Sequence, residues 1–207
     1  MRRLVILLML VGMVGPSQAQ VRPHDPDSQG ATNWTEARLA SQERHLWRVA
    51  AWGTLNALGG AVLVLALSRS DRPAGWGFGL QSGAWGVINV GIATAGLLGQ
   101  GGTGPESWAE AVAAERTYHD ILLLNMGLNV AYAGVGTAMV VAGYRDVRSA
   151  RSWRGHGTAL ILQGAGLLVL DGISLVASRT RLVDLLRVPG DVTAFATQGG
   201  LGLAIHF

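Results

Sequence analysis

The stretch ILLLNMGLNVAYAGVGTAMVVA, residues 121–142, decides the fold of this chain. It is 22 residues long and carries no charged side chain. A helix needs about 20 apolar residues to cross the hydrocarbon core of a bilayer. The strict alternation of apolar and polar residues that marks a strand of a membrane barrel is missing from this stretch. Residues 121–142 therefore predict a membrane-spanning helix.

Three other stretches share this character, at residues 48–67, 76–98 and 158–177. Such stretches could also be the core helices of a soluble protein. Only 14% of the chain is charged, against about 25% in a typical soluble domain. Too little polar surface remains to cover four apolar helices. We therefore predict an all-α integral membrane protein, with a four-helix transmembrane bundle over residues 33–178.

Composition excludes several classes of protein. The chain has 207 residues, 49% of them apolar, which is too hydrophobic for a disordered protein. Without cysteine it can have no disulfide, no thiol chemistry and no cysteine zinc site. The net charge is only +3, and the high pI arises because every Lys-or-Arg position is Arg. We expect the lipid bilayer as a partner, and no nucleic acid.

The two ends of the chain predict targeting and tail segments. Residues 1–19 have a basic start, a short apolar run and small residues before a cleavage point after Ala19, which is typical of a secretory signal peptide. The alternative is an uncleaved first anchor. Residues 20–32 predict an exposed tail, with a helix starting near Trp34. Residues 179–207 predict a short surface helix followed by a β-hairpin, because residues 201–207 alternate strictly.

Arginines in the connections predict the orientation. Residues 68–75 and 143–157 carry arginines, whereas residues 99–120 are mainly acidic. Because positive residues accumulate on the cytoplasmic side, the first and third connections are predicted to be cytoplasmic. The mature N-terminus and the C-terminus then lie on the periplasmic side of a bacterial inner membrane.

The spans also predict an internal repeat. Residues 81–89, QSGAWGVIN, match residues 163–171, QGAGLLVLD, and residues 55–57 match residues 128–130. Glycine-rich helices can resemble one another by composition alone. Because the polar positions match as well, we favour two duplicated helical hairpins related by an axis along the membrane normal.

Residues 125–132, 154–157 and 162–171 resemble those of a bacterial family of small four-helix membrane proteins known only as a domain of unknown function. The resemblance covers most of residues 44–178. It implies the same four-helix fold and brings no known activity. Asn129 departs from the family pattern, which favours Asp at that position.

Polar side chains within the spans form the candidate site. They are Asn56, Gln81, Asn89, Asn125, Asn129, Tyr132, Gln163 and Asp171. Asp171 is predicted about 9 Å below the outer end of its span, with no basic side chain at that depth. A buried ionisable group of this kind is a functional candidate, with a proton or a cation from outside as its partner. The alternative is a set of interhelical hydrogen bonds that only hold the bundle together.

No catalytic motif, cofactor motif or phosphate loop is present in the sequence, so we do not expect an enzyme. His45 and His119 occupy related positions and could bracket a haem or a metal, although a repeat would produce that pairing by itself. Two functions remain open. The first is a structural or accessory envelope component that associates, with itself or with other membrane proteins, through Gly and Ala faces. The second is a small transporter or channel that uses the region around Asp171.

Overall fold

The chain forms four long helices in a computed structural model that describes residues 26–100, 107–145, 147–186, 191–197 and 200–206. The helices are α1 (Pro26–Ala66), α2 (Pro73–Leu98), α3 (Trp108–Ala142) and α4 (Ala150–Leu186). The predicted helical fold is confirmed, and each predicted span lies almost entirely within one of the four helices. The proposed signal peptide, residues 1–19, lies outside the described residues.

Local sequence explains where two of these helices begin. Pro73 stands in the first turn of α2, where its fixed φ suits a helix and its missing N–H is not needed. Ser107 caps α3, because its hydroxyl accepts a hydrogen bond from the Glu110 backbone N–H while the Glu110 carboxylate accepts one from the Ser107 N–H.

The helices pack as two antiparallel hairpins, α1 with α2 and α3 with α4, joined mainly through α4. We call the end with the α1–α2 and α3–α4 connections the loop end. The distal end is the other one, where α1 begins and α4 finishes. Glycines allow close approach within each hairpin. A Cβ on Gly86 would lie 2.5 Å from the carbonyl oxygen of Gly53, and one on Gly157 would lie 2.5 Å from that of Gly136.

Two predicted boundaries differ from the structure at the distal end. The segment 20–32 was expected to be an exposed tail, but α1 begins at Pro26 and Ala31 is fully buried. Residues 179–188 were expected to form a separate surface helix, but residues 179–186 continue α4. In both places the helix continues because its inward face is packed against other helices.

After α4, two strands form an antiparallel hairpin. Strand β1 (Asp191–Thr197) pairs with β2 (Gly200–His206), with Val192 opposite Ile205. The sequence predicts this hairpin, and β2 covers the alternating residues 201–206.

Of the described residues, three helical segments are long and apolar enough to cross a membrane: Gly30–Ala66, Trp108–Ala142 and Ala150–Leu186. The fourth predicted span lies in α2, which is not among these three segments. Large apolar side chains point outward along all four helices, Leu65, Leu98, Leu124 and Val169 among them. This pattern supports association with a membrane.

Candidate functional site

A carboxylate of α4 lies between side chains of two other helices. The Asp171 Oδ1 atom is 3.1 Å from Nε2 of His45 in α1, and the Asn129 amide of α3 donates a 2.6 Å hydrogen bond to Oδ2. All three residues are buried, and Asp171 is only 4% exposed. The prediction that no basic side chain reaches Asp171 is therefore wrong. Asp171 has an imidazole as its direct partner.

The second ring nitrogen of His45 makes this pair chemically interesting. Nδ1 is buried and has no hydrogen-bond partner among the described residues. Buried polar atoms are nearly always paired, so an unpaired one calls for an explanation such as an ordered water or a functional role. An imidazole nitrogen and a carboxylate oxygen in contact can share one proton. The other ring nitrogen, Nδ1, is a second atom of His45 that can bind a proton.

A second polar layer lies nearer the loop end. The Trp52 indole N–H of α1 donates a 2.9 Å hydrogen bond to Oε1 of Gln163 in α4. The Asn89 amide of α2 donates to the same oxygen at 3.3 Å. The Gln163 amide nitrogen is buried and has no partner in the described part of the chain. Gln163 therefore joins three helices and keeps an unused donor inside the bundle.

The inward face of α4 continues from Asp171 toward the distal end through Ser174, Ser178 and Arg181. Arg181 donates two hydrogen bonds of 3.0 Å to the Glu115 carboxylate of α3, and the Ser178 hydroxyl donates a third at 2.5 Å. Glu115 is 1% exposed. This charged cluster was not predicted, although the spacing 171, 174, 178 and 181 places all four side chains on one helix face.

Between the two ionisable pairs lies Tyr118 of α3. Its buried hydroxyl lies next to the side chain of Ser174 in α4. Buried Ser174 occupies the corresponding part of α4, one turn from Asp171. Polar side chains thus extend from the Glu115–Arg181 pair to the His45–Asp171 pair. We call this set, together with Asn129, the distal polar network.

Four of the eight predicted residues take part in the two polar layers: Asn89, Asn129, Gln163 and Asp171. The others lie elsewhere. Asn56 is buried but donates its hydrogen bond to the Trp52 carbonyl within its own helix, at 2.8 Å. Asn125 is half-buried and lies outside both layers.

Gln81 and Tyr132 have different surroundings. The Gln81 side-chain oxygen is 3.1 Å from Nδ1 of His156, near the loop end. The Tyr132 ring packs against the Trp85 ring, with centroids 4.7 Å apart. The eight predicted residues therefore do not form one cluster, because the spans are long enough to hold polar groups at several levels.

A metal or haem site between His45 and His119 gains no support. His45 Nε2 is directed to Asp171, and no group of three or more His, Asp or Glu side chains that could hold a metal ion exists within the described residues.

One outer face of α3 is formed by small residues. Gly127, Ala131, Gly134 and Ala138 are exposed, and they are spaced so that they line one side of the helix. A Cβ on Gly127 or on Gly134 would meet no atom within 4 Å. We call these four residues the small α3 face. Glycines at this face are not required by packing within the described bundle.

Comparison with models of protein families gives a match. The model of a family described as a family of unknown function, DUF6992, matches residues 48–172. The matched range includes Trp52, Asn89, Asn129, Gln163 and Asp171, while His45 lies just before it. No curated protein and no solved structure matches the chain.

Proposed function

The chain belongs to the family of unknown function DUF6992, and we propose that it is an integral membrane protein that binds and moves protons at the His45–Asp171 pair. In this proposal it works as a small transporter or channel. The observation that carries it is the contact of 3.1 Å between His45 Nε2 and Asp171 Oδ1, two ionisable side chains buried inside the bundle.

The membrane placement is supported by the outer surface of the bundle. Large apolar side chains are exposed along the helices, and Leu65 reaches 87% exposure. In water such a surface would favour aggregation, whereas in lipid it is favourable. The arginine-rich connections at the loop end favour a cytoplasmic location for that end. We place the protein in the bacterial inner membrane, with the distal end on the periplasmic side.

The energetics of burial favour a functional role for the pair. Insertion of a charged side chain at the centre of a membrane helix costs about 2.5–3.5 kcal/mol. An amide in place of Asp171 could make similar hydrogen bonds without that cost. Ionisable groups inside membrane proteins are often members of proton relays for this reason. The neighbouring Asn129 amide stabilises the carboxylate without neutralising it.

The distal polar network offers a route between the pair and the outside. It consists of Glu115, Ser178 and Arg181 at one end, then Tyr118 and Ser174, then the pair itself. The unpaired His45 Nδ1 is suited to hold a water molecule on this route. The route toward the loop end is longer and passes the buried side chain of Leu167 and the Gln163 layer.

The test is proton flux into liposomes that contain the purified full-length protein and a trapped pH-sensitive dye. With a potassium diffusion potential as driving force, we expect flux above that of empty liposomes. Asp171→Asn and His45→Gln should both abolish it. Asn56→Ala is the matched control, since Asn56 is also buried but bonds only to its own helix. Flux that equals that of empty liposomes, or that persists in Asp171→Asn, would overturn the proposal.

A second function, a structural or accessory component, is favoured by the small α3 face. Small residues on a lipid-facing surface let another helix approach closely. The partner would be a membrane protein or a second copy of the chain. Gly127→Leu with Gly134→Leu should remove a larger species from native gels of solubilised membranes. Gly172→Leu, at an exterior glycine of α4 with no atom nearby, should not. An unchanged species in the double variant would argue against this function.

We also propose that the two hairpins arose by duplication, with residues 44–98 corresponding to residues 116–177. Glycine-mediated packing in both hairpins supports this origin. In relatives, the sequences of the two halves should then be more similar to each other than shuffled sequences of the same composition are. Loss of the matched polar positions in such a comparison would contradict it.

We also propose that residues 1–19 are a signal peptide, which predicts a mature chain that starts at Gln20.

A further inference from the structure

The loop end holds a cavity that the distal polar network does not involve. Its volume is about 510 Å³, within the range of roughly 300–1,000 Å³ that is usual for small-molecule sites. It lies where the segment before α2 meets the C-terminal part of α3 and the first turns of α4. Its polar lining comes from Arg69, Ser149, Arg151, Ser152 and His156.

The residues that line the cavity include two arginines and no acidic side chain. The nine residues that line it, all of them described, include Arg69 and Arg151 but neither Asp nor Glu. Arg69 is held in place because its guanidinium carbon lies 5.2 Å from the centre of the Trp76 ring. Arg151 stands in the first turn of α4, where the helix dipole adds further positive potential. Two like charges at a concave surface favour an anion between them.

The backbone at the cavity is strained. Ser149 has a φ of 63°, in the left-handed region that a residue with a side chain seldom adopts. Strained residues of this kind tend to occur at ligand sites, where the surrounding structure maintains them. The Ser149 carbonyl accepts hydrogen bonds from the N–H groups of Ser152 and Trp153, so the strained residue fixes the start of α4.

Apolar side chains complete the lining. Pro73, Met139 and Trp153 face the same cavity as the two arginines. Trp153 lies two residues after Arg151 and is 42% exposed. Tryptophans are common at the interface between a bilayer and water. A free inorganic anion would need only the polar part of this lining. A lipid headgroup would use both parts, with its phosphate at the arginines and its glycerol carbons at the apolar side chains.

We propose that this cavity binds a phosphate group between Arg69 and Arg151, and that the group belongs to the headgroup of an anionic phospholipid such as phosphatidylglycerol. The lipid source rests on the membrane placement proposed above, but not on proton movement. Basic pockets between helices on the cytoplasmic side are the usual sites for such headgroups.

The experiment measures phosphatidylglycerol retained by the purified full-length protein in native mass spectrometry, with phosphatidylcholine as the neutral comparison. The double variant Arg69→Gln/Arg151→Gln should bind phosphatidylglycerol on the order of 30-fold more weakly. The control is Arg145→Gln/Arg148→Gln, which removes two exposed charges from the α3–α4 connection without touching the cavity lining. The control should bind like the wild type.

A second arm identifies the source of the phosphate. Inorganic phosphate is titrated against the detergent-solubilised protein and followed by the line width of its phosphorus resonance. Binding of inorganic phosphate that depends on Arg69 and Arg151, without retention of phosphatidylglycerol, would keep the phosphate site and overturn the lipid assignment. Equal losses of binding in the two double variants, or no binding of either probe to the wild type, would contradict the proposed phosphate site. Proton flux with no phosphate binding would leave the proposed function intact.

Discussion

The Trp52 indole nitrogen lies 2.9 Å from the side-chain oxygen of Gln163, and this hydrogen bond joins the first helical hairpin to the second. The same oxygen accepts a hydrogen bond from Asn89. One glutamine oxygen of α4 therefore holds both helices of the first hairpin. It acts together with two other polar contacts between the hairpins, His45 with Asp171 and Gln81 with His156.

Trp52→Phe tests the contribution of this hydrogen bond. The ring remains apolar and large, but the N–H donor is lost, and Asn89 alone is left to bond the Gln163 oxygen. Hydrogen bonds between membrane helices contribute about 0.6 kcal/mol on average and up to roughly 1.7. We expect a loss of about 1 kcal/mol in the free energy of unfolding, measured by denaturant titration in mixed micelles. Trp47→Phe, at an exposed tryptophan of the same helix, should be neutral. Equal effects of the two changes would contradict this role of Gln163.

Gly136→Ala and Gly134→Ala form a matched pair on α3. A Cβ on Gly136 would lie 2.6 Å from the Gly157 carbonyl oxygen and 2.9 Å from the Ile161 nitrogen, so α3 and α4 would have to separate. We expect a cost of about 1–3 kcal/mol from this overpacking. A Cβ on Gly134 would meet nothing within 4 Å, so alanine there should be neutral or stabilise the helix by up to about 1 kcal/mol. Thermal unfolding in detergent measures both, and a Gly136→Ala variant as stable as the wild type would contradict the observed packing.

Glu115→Gln tests the charged cluster at the distal end. Arg181 would keep its charge while its side chain stays only 13% exposed and loses its carboxylate partner. Removal of one member of a buried pair commonly costs about 3–5 kcal/mol. We expect a loss near the lower limit, about 3 kcal/mol, because Arg181 can turn toward water. The double variant Glu115→Leu/Arg181→Leu should be more stable than the single one. Arg179→Gln, an exposed change on the same helix, is the control.

Cysteine labelling tests the orientation, since the natural chain has no cysteine. A cysteine at Asp120 should react with an impermeant maleimide in intact cells. A cysteine at Arg148 should react only after the cells are opened. The reason is that the arginine-rich connection is retained on the cytoplasmic side. Reaction of the Arg148→Cys variant in intact cells would reverse the topology proposed here.

The sequence was sufficient to predict the four helices, because their length and lack of charge leave few other structures open. It also identified Asn89, Asn129, Gln163 and Asp171 as polar residues of the interior. It did not predict which side chains pair. Spacing along one helix reports the face on which a residue lies, but not the partner helix or the relative height of the two.

His45 shows this limit clearly. It lies three residues before the predicted span at 48–67, so it was placed at the outer membrane face. The height of Asp171 was counted from a span assumed to end at Ala177, whereas α4 continues to Leu186. A useful signal was present in α1, because His45, Trp52 and Asn56 are seven and four residues apart and share a face. Arg181 was missed because residues 179–188 were read as a separate helix.

The unequal lengths of the helices have a consequence for how far the protein reaches. At 1.5 Å per residue, the 41 residues of α1 extend about 60 Å and the 37 of α4 about 55 Å, whereas the 26 of α2 extend only about 39 Å. The hydrocarbon core is about 30 Å thick. In the proposed orientation α1, α3 and α4 therefore continue as a three-helix stump above the lipid, where Trp34 meets Trp108 edge to face at 6.4 Å. This extension places the first residues of α1 roughly 20–30 Å above the bilayer surface.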